Sequence, residues 1–126
     1  MPLVRIDLAA GHSPEGLAAI ARGVHDALVA AFAIPPDDRF AILTEHAASE
    51  MIHTSTYLGV TYTDGLTIVQ ITCNDGRTVE QKKALFAAIA SNLAADPGVR
   101  PADVFVNLVE VRKENWSFGD GIAQYA

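Results

Sequence analysis

Alternating apolar and polar stretches bracket two longer segments in which apolar residues return at helical spacing. Leu3-Val4-Arg5-Ile6-Asp7-Leu8 alternates as a strand beginning at the chain terminus. Ser13-Pro14-Glu15 follows, an N-cap, a first-turn proline and a first-turn acid that open a helix. Leu17, Ile20, Val24 and Leu28 share one face of it. Ile34-Pro35-Pro36 stops the helix, and Arg39 to Glu45 reads as a second strand, with Phe40 and Ile42 on one face and Ala41 and Leu43 on the other.

The same order then recurs. Leu66 to Cys73 reads as a strand, Thr78 and Gln81 form a capping box, Leu85, Ile89 and Leu93 line a helix, Asp96-Pro97-Gly98 ends it, and Val104 to Val111 is a strand. Glu15 matches Glu80, Asp38 matches Asp103 and Phe40 matches Phe105 at one constant spacing. The pattern predicts an α/β (α+β) domain over residues 1–126, made of two fused β-α-β units, about 2–46 and 66–111, with a tail at 112–126. Right-handed crossovers put both helices on one face of a four-stranded mixed sheet. Leu3, Leu43, Val69, Ile71, Val106 and Leu108 are expected on the opposite, uncovered face, where other subunits or the tail would bury them.

Two segments stand outside the repeat. The connection 47–64 carries Met51, His53, Tyr57 and Tyr62 and is long enough to expect a functional role or structure formed with a partner. In the tail, the only tryptophan, Trp116, lies among turn formers with Phe118, which points to a pocket or an interface.

Composition narrows the function. The chain fits one domain, and charges interrupt every apolar run before it reaches the length of a membrane span. No cationic segment leads into an apolar one, so no signal peptide is expected. A single cysteine, Cys73, suits a reducing cytoplasm, and a net charge of −6 argues against nucleic acid as the partner. His12, His25, His46 and His53 have no metal-ligand spacing, and Gly119-Asp120-Gly121 lacks the lysine of a phosphate loop and reads as a turn.

The candidate chemistry starts at Pro2, directly behind Met1. Trimming of Met1 would free a secondary amine, a group that titrates at about 7.7 to 8.0 in ordinary termini and serves as acid, base or nucleophile. Taken singly, Pro2 reads first as a tolerated second residue and Trp116 and Phe118 as packing groups, while Asp38 is equally a turn residue and Arg77 equally a solvated loop residue. Arg5 and Asp7, on one strand face, are expected to pair with each other.

Together, Met1-Pro2, the corner Ile34-Pro35-Pro36-Asp37-Asp38-Arg39-Phe40, the helix start Gly76-Arg77-Thr78 and the tail Trp116-Ser117-Phe118-Gly119 resemble the tautomerase superfamily, and within it the malonate semialdehyde decarboxylase group. The resemblance spans the chain from Pro2 to Gln124-Tyr125. It implies a homotrimer without metal or organic cofactor, acting on small oxo acids from a pocket floored by Pro2. It also implies catalytic roles for Asp38 and Arg77 and an aromatic wall of Trp116 and Phe118. Many members carry two arginines before the second helix; here Asn74 stands near the place of the other, which leaves the substrate open.

For a 3-oxo acid, a cationic Pro2 would polarise the carbonyl as charge arrives there, and Arg77 would hold the carboxylate in two parallel hydrogen bonds. Asp38 would hydrogen-bond the prolinium or orient a water. With one arginine replaced and Asp37, Asp38 and Asp75 in the motif loops, charge balance predicts a protonated Pro2 acting as an acid, favouring decarboxylation or hydration. Keto–enol tautomerisation of a phenylpyruvate-type substrate is the alternative with the same Pro2. A non-catalytic trimeric binding protein is the alternative if Met1 is retained.

Overall fold

A computed structural model describes residues 1–126. Strand β1 (Leu3–Ala9) leads into helix α1 (Pro14–Phe32) and strand β2 (Ala41–His46). After a short hairpin, β3 (Thr56–Tyr57) and β4 (Val60–Thr61), the pattern repeats as β5 (Thr67–Asn74), α2 (Val79–Ala95) and β6 (Val104–Val111). The sheet order is β2-β1-β5-β6, with β1–β2 and β5–β6 parallel and β1–β5 antiparallel, so two β-α-β units meet back to back at the sheet centre. No helix is long and apolar enough to cross a membrane.

Local chemistry sets the helix ends where the sequence placed them. The Ser13 hydroxyl accepts from the Gly16 amide, and Thr78 and Gln81 exchange both capping-box bonds. Both helices cover one face of the sheet, and Ile20, Val24, Leu28, Leu85, Ile89 and Leu93 bury completely against it. They cross closely at Gly23, where an added Cβ would lie 2.8 Å from Leu93 Cδ1 and where Asn92 donates to the Gly23 carbonyl at 2.9 Å.

The uncovered face differs from the sequence expectation. Val69 and Ile71 lie beneath the helices with no exposure, and Leu43, Val106 and Leu108 pack against the same core; of the expected set only Leu3 faces the other way. Register is the physical reason, because alternate residues of β5 and β6 take opposite faces and the apolar series belongs to the helix side. The open face carries a polar belt, Arg5, Gln70 and Asn107 in successive strands, with Gln70 donating to Asn107 at 3.0 Å. Exposed Ile42, Phe105 and Val109 lie around it.

Two further expectations change. Asp7 pairs with His46 Nε2 at 2.7 Å rather than with Arg5, which enters no ion pair. The connection 47–64 builds its own short helical turn and the β3–β4 hairpin, leaving Ile52, Tyr57 and Leu58 exposed.

Candidate active site at the chain terminus

The site is assembled where β1 begins, beside the α1–β2 corner, the β5–α2 loop and the tail. Pro2 is buried, and the strand it leads is the second in the sheet, flanked on both sides by hydrogen-bonded neighbours. Its placement is fixed by the next residues, because Val4 donates to the Phe40 carbonyl at 3.0 Å and Leu3 opposes Thr72.

Asp38 reaches the same place from the corner. Ala33 takes a left-handed conformation (φ 56°) to end α1, Ile34 plugs the core, and the Asp38 amide closes a turn on the Pro35 carbonyl at 3.0 Å. His25 Nε2 lies 2.7 Å from the Pro36 carbonyl; a carbonyl only accepts, so this nitrogen carries the proton and ties the corner to α1. The Asp38 side chain is 13% exposed, with Oδ2 3.9 Å from the Met1 α-amine. Its Oδ1 is buried without a hydrogen-bond partner. An orphaned carboxylate oxygen beside the chain-terminal amine is costly for folding and suits a group waiting for a proton or a ligand.

Arg77 is held from two sides. Its Nη1 donates to the Asn74 carbonyl at 3.2 Å, and its guanidinium carbon stands 4.8 Å from the Phe32 ring centroid. That single hydrogen bond leaves most of the five guanidinium donors free for a carboxylate.

Asn74 is buried at the end of β5, and its Oδ1 accepts from the Trp116 indole Nε1 at 2.8 Å. Trp116 then stacks on Phe118 with ring centroids 5.5 Å apart. Pro2, Leu3, Phe40, Trp116 and Phe118, with Met1, line a cavity of about 220 Å³. Arg77, Asn74, Gln81 and Lys113 line a second, more polar cavity of about 400 Å³. The Trp116–Asn74 bond joins the two, so all six candidate residues converge on one end of the sheet.

Cys73 lies beneath this region at 3% exposure. Burial pushes its thiol above the ordinary value of 9.0 despite the nearby Arg77, so it stays a neutral packing group at neutral pH. Phe40 as a lining residue, His25 as the corner's tie and Phe32 beneath Arg77 were not singled out for the site by sequence. Phe40 was readable as a strand residue and as the end of the corner motif, and the other two act through contacts between distant segments.

The chain is similar to known proteins over nearly its whole length. Family models described as "Tautomerase enzyme" match residues 38–119 and 2–60. A protein of Bacillus subtilis (strain 168) named "Probable tautomerase YusQ" is 40% identical over 124 residues, covering 98% of each chain. The crystal structure of FG41 malonate semialdehyde decarboxylase inhibited by 3-bromopropiolate superposes with a TM-score of 0.91 at 46% identity, covering 98% of this chain and 93% of that one. A fused 4-OT solved as a symmetric trimer has a TM-score of 0.78 at 29% identity, covering 95% of this chain and 94% of that one. The fold, the family models and the full-length similarity together establish that this chain belongs to the tautomerase superfamily.

Proposed function

We propose that the chain, once Met1 is removed, is a cofactor-free decarboxylase of a small 3-oxo acid resembling malonate semialdehyde, with the Pro2 amine as its acid. The observation that carries the reading is Asp38 beside the start of the chain: its Oδ2 lies 3.9 Å from the α-amine of Met1, the residue joined to Pro2, and its Oδ1 is buried without a partner. Similarity to malonate semialdehyde decarboxylase at 46% identity supports it.

Arg77 takes the substrate carboxylate through its free donors and fixes its dihedral, so that the carbon–carbon bond to be broken stands out of the plane of the forming enolate. That bond's electron pair passes into the enolate, carbon dioxide leaves, and protonated Pro2 hydrogen-bonds the carbonyl oxygen as it gains charge. Pro2 then gives its proton to the enolate carbon, which completes the aldehyde product, and takes up another from water. Asp38 stabilises the prolinium, and the Trp116–Phe118 wall keeps water from the departing carboxylate. Asn74 presents its amide beside Arg77 as an uncharged second donor.

A keto–enol tautomerase acting on an aromatic 2-oxo acid is the second reading, favoured by the aromatic lining from Phe40, Trp116 and Phe118 and by similarity to the named tautomerase. As the neighbouring fused 4-OT is a trimer, we propose a homotrimer here, with the open sheet face as the contact. A cytoplasmic location belongs to the same proposal and suits the free thiol of Cys73.

The test pairs intact mass with carbon dioxide release from malonate semialdehyde by the wild type and Pro2→Ala. Loss of Met1 with release that depends on Pro2 is expected. A trimmed, folded protein that releases none but tautomerises phenylpyruvate moves the assignment to the second reading, and a retained Met1 points to a binding role.

A further inference from the structure

We infer that Gln124, in the tail, is a positioning residue that clasps this segment and thereby sets the aromatic wall of the Pro2 cavity. Its Oε1 accepts from the Phe118 amide at 2.9 Å, and its Nε2 donates to the Gly119 carbonyl at 3.1 Å. One planar carboxamide thus bonds the Phe118 amide and the Gly119 carbonyl together. Glutamine fits because it offers an acceptor and donors on a single group.

The loop between these partners is built to bring Gln124 back. Gly119, Asp120 and Gly121 take positive φ values of 143°, 59° and 68°, a left-handed run that reverses the chain. No atom lies within 4 Å of where a Cβ on Gly119 would stand, so backbone conformation rather than space requires glycine there. Ile122 donates to the Gly119 carbonyl at 3.2 Å, which closes the turn. The next residue, Tyr125, then meets Phe118 edge to face with centroids 5.1 Å apart, while Lys113 Nζ lies 5.9 Å from the Tyr125 centroid.

Phe118 is therefore held by Gln124 at its backbone and by Tyr125 at its ring, and Trp116 is held between Phe118 and Asn74. Few other contacts fix this segment, which is largely exposed, so loss of the clasp frees the wall without opening the core. The effect on catalysis rests on the proposed decarboxylase or tautomerase reading of the Pro2 cavity; the effect on Trp116 does not.

The experiment uses the full chain with Gln124→Ala and Gln124→Glu. Because Trp116 is the only tryptophan, its fluorescence quenching by acrylamide reports the wall directly. Both variants are expected to quench more readily at neutral pH and to keep the wild-type Tm to within a few degrees. With whichever substrate the wild type turns over, KM should rise roughly three- to tenfold, the scale of one lost hydrogen bond, with a smaller change in kcat.

Gln124→Glu adds a signature that general loosening would not give. At neutral pH its carboxylate still accepts from Phe118 but repels the Gly119 carbonyl. As that carboxyl protonates near pH 4.3 it regains a donor, and its quenching should return toward that of the wild type at the same pH. Wild-type quenching in both variants overturns the inference, as does a fall in Tm matching that of a core substitution or a defect in Gln124→Glu unchanged by acid. If the wild type turns over neither substrate, the proposed function fails and quenching alone decides on the clasp.

Discussion

Asp38 and Asp103 occupy the same place in the two halves of the chain, and their surroundings treat them oppositely. Asp103, 2% exposed, accepts from the Thr63 amide at 2.8 Å, from the Thr63 hydroxyl and from Arg100 at 3.1 Å. Asp38 has only the terminal amine at 3.9 Å and keeps one oxygen unpaired. In the second half the acid is consumed in tying Thr63, which leads into β5; in the first half no hydroxyl or amide reaches the Asp38 carboxylate.

Asp38→Asn should therefore spare the fold and damage the reaction. It removes a half-buried charge that makes no side-chain hydrogen bond, so Tm is expected to hold or rise. Turnover of the 3-oxo acid should fall by roughly 10²-fold, the low end for a lost acid–base partner, and the basic limb of the pH–rate profile should move to lower pH as Pro2 loses its anionic neighbour. An unchanged profile would place Asp38 outside the reaction.

Asp103→Asn should do the reverse. Burial pushes the Asp103 carboxyl up, but the Thr63 and Arg100 hydrogen bonds outweigh it and hold the group below the ordinary value of 3.8. A folded-state value below the unfolded one means that its stabilisation is present above pH 3.8 and lost as pH falls through the folded value. The variant should lose about 1–3 kcal/mol of stability at neutral pH, read by urea unfolding, and the gap from wild type should narrow below pH 3.8. Its kcat should stay near the wild-type value.

Legibility in the sequence followed the range of the interactions. Helix starts were readable at Ser13 and Thr78 because a cap acts on its own next residues, and β6 was readable at its full length. The open face was misjudged because β5 carries apolar residues on both sides; Gln70, paired with Asn107, was the available sign of which side faced out. Pro2, Asp38 and Arg77 stood out by their motifs. Gln124 and His25 did not, since each serves the site through partners that only the folded chain brings near.

Arg77 offers a test of clamp geometry. Arg77→Ala should lower kcat/KM for the acid substrate by roughly 30-fold, about 2 kcal/mol for a charge-assisted hydrogen bond. Arg77→Lys should recover only part of it, because an ammonium cannot form the planar fork and stacks poorly on Phe32. Full recovery by lysine would show that charge alone is needed there.

Asn74 has two faces that one substitution can separate. Its Oδ1 accepts from Trp116, while its amide nitrogen makes no hydrogen bond within the chain and stands beside the Arg77 cavity. Asn74→Asp keeps the acceptor for the indole and replaces the donor with negative charge. Trp116 emission and acrylamide quenching should then match the wild type, whereas KM for a carboxylate substrate should rise by about tenfold or more through lost donation and repulsion. Asn74→Leu, with no acceptor, should disturb both. If Asn74→Asp left KM unchanged, the substrate carboxylate would be bound by Arg77 alone and Asn74 would serve the site only through Trp116.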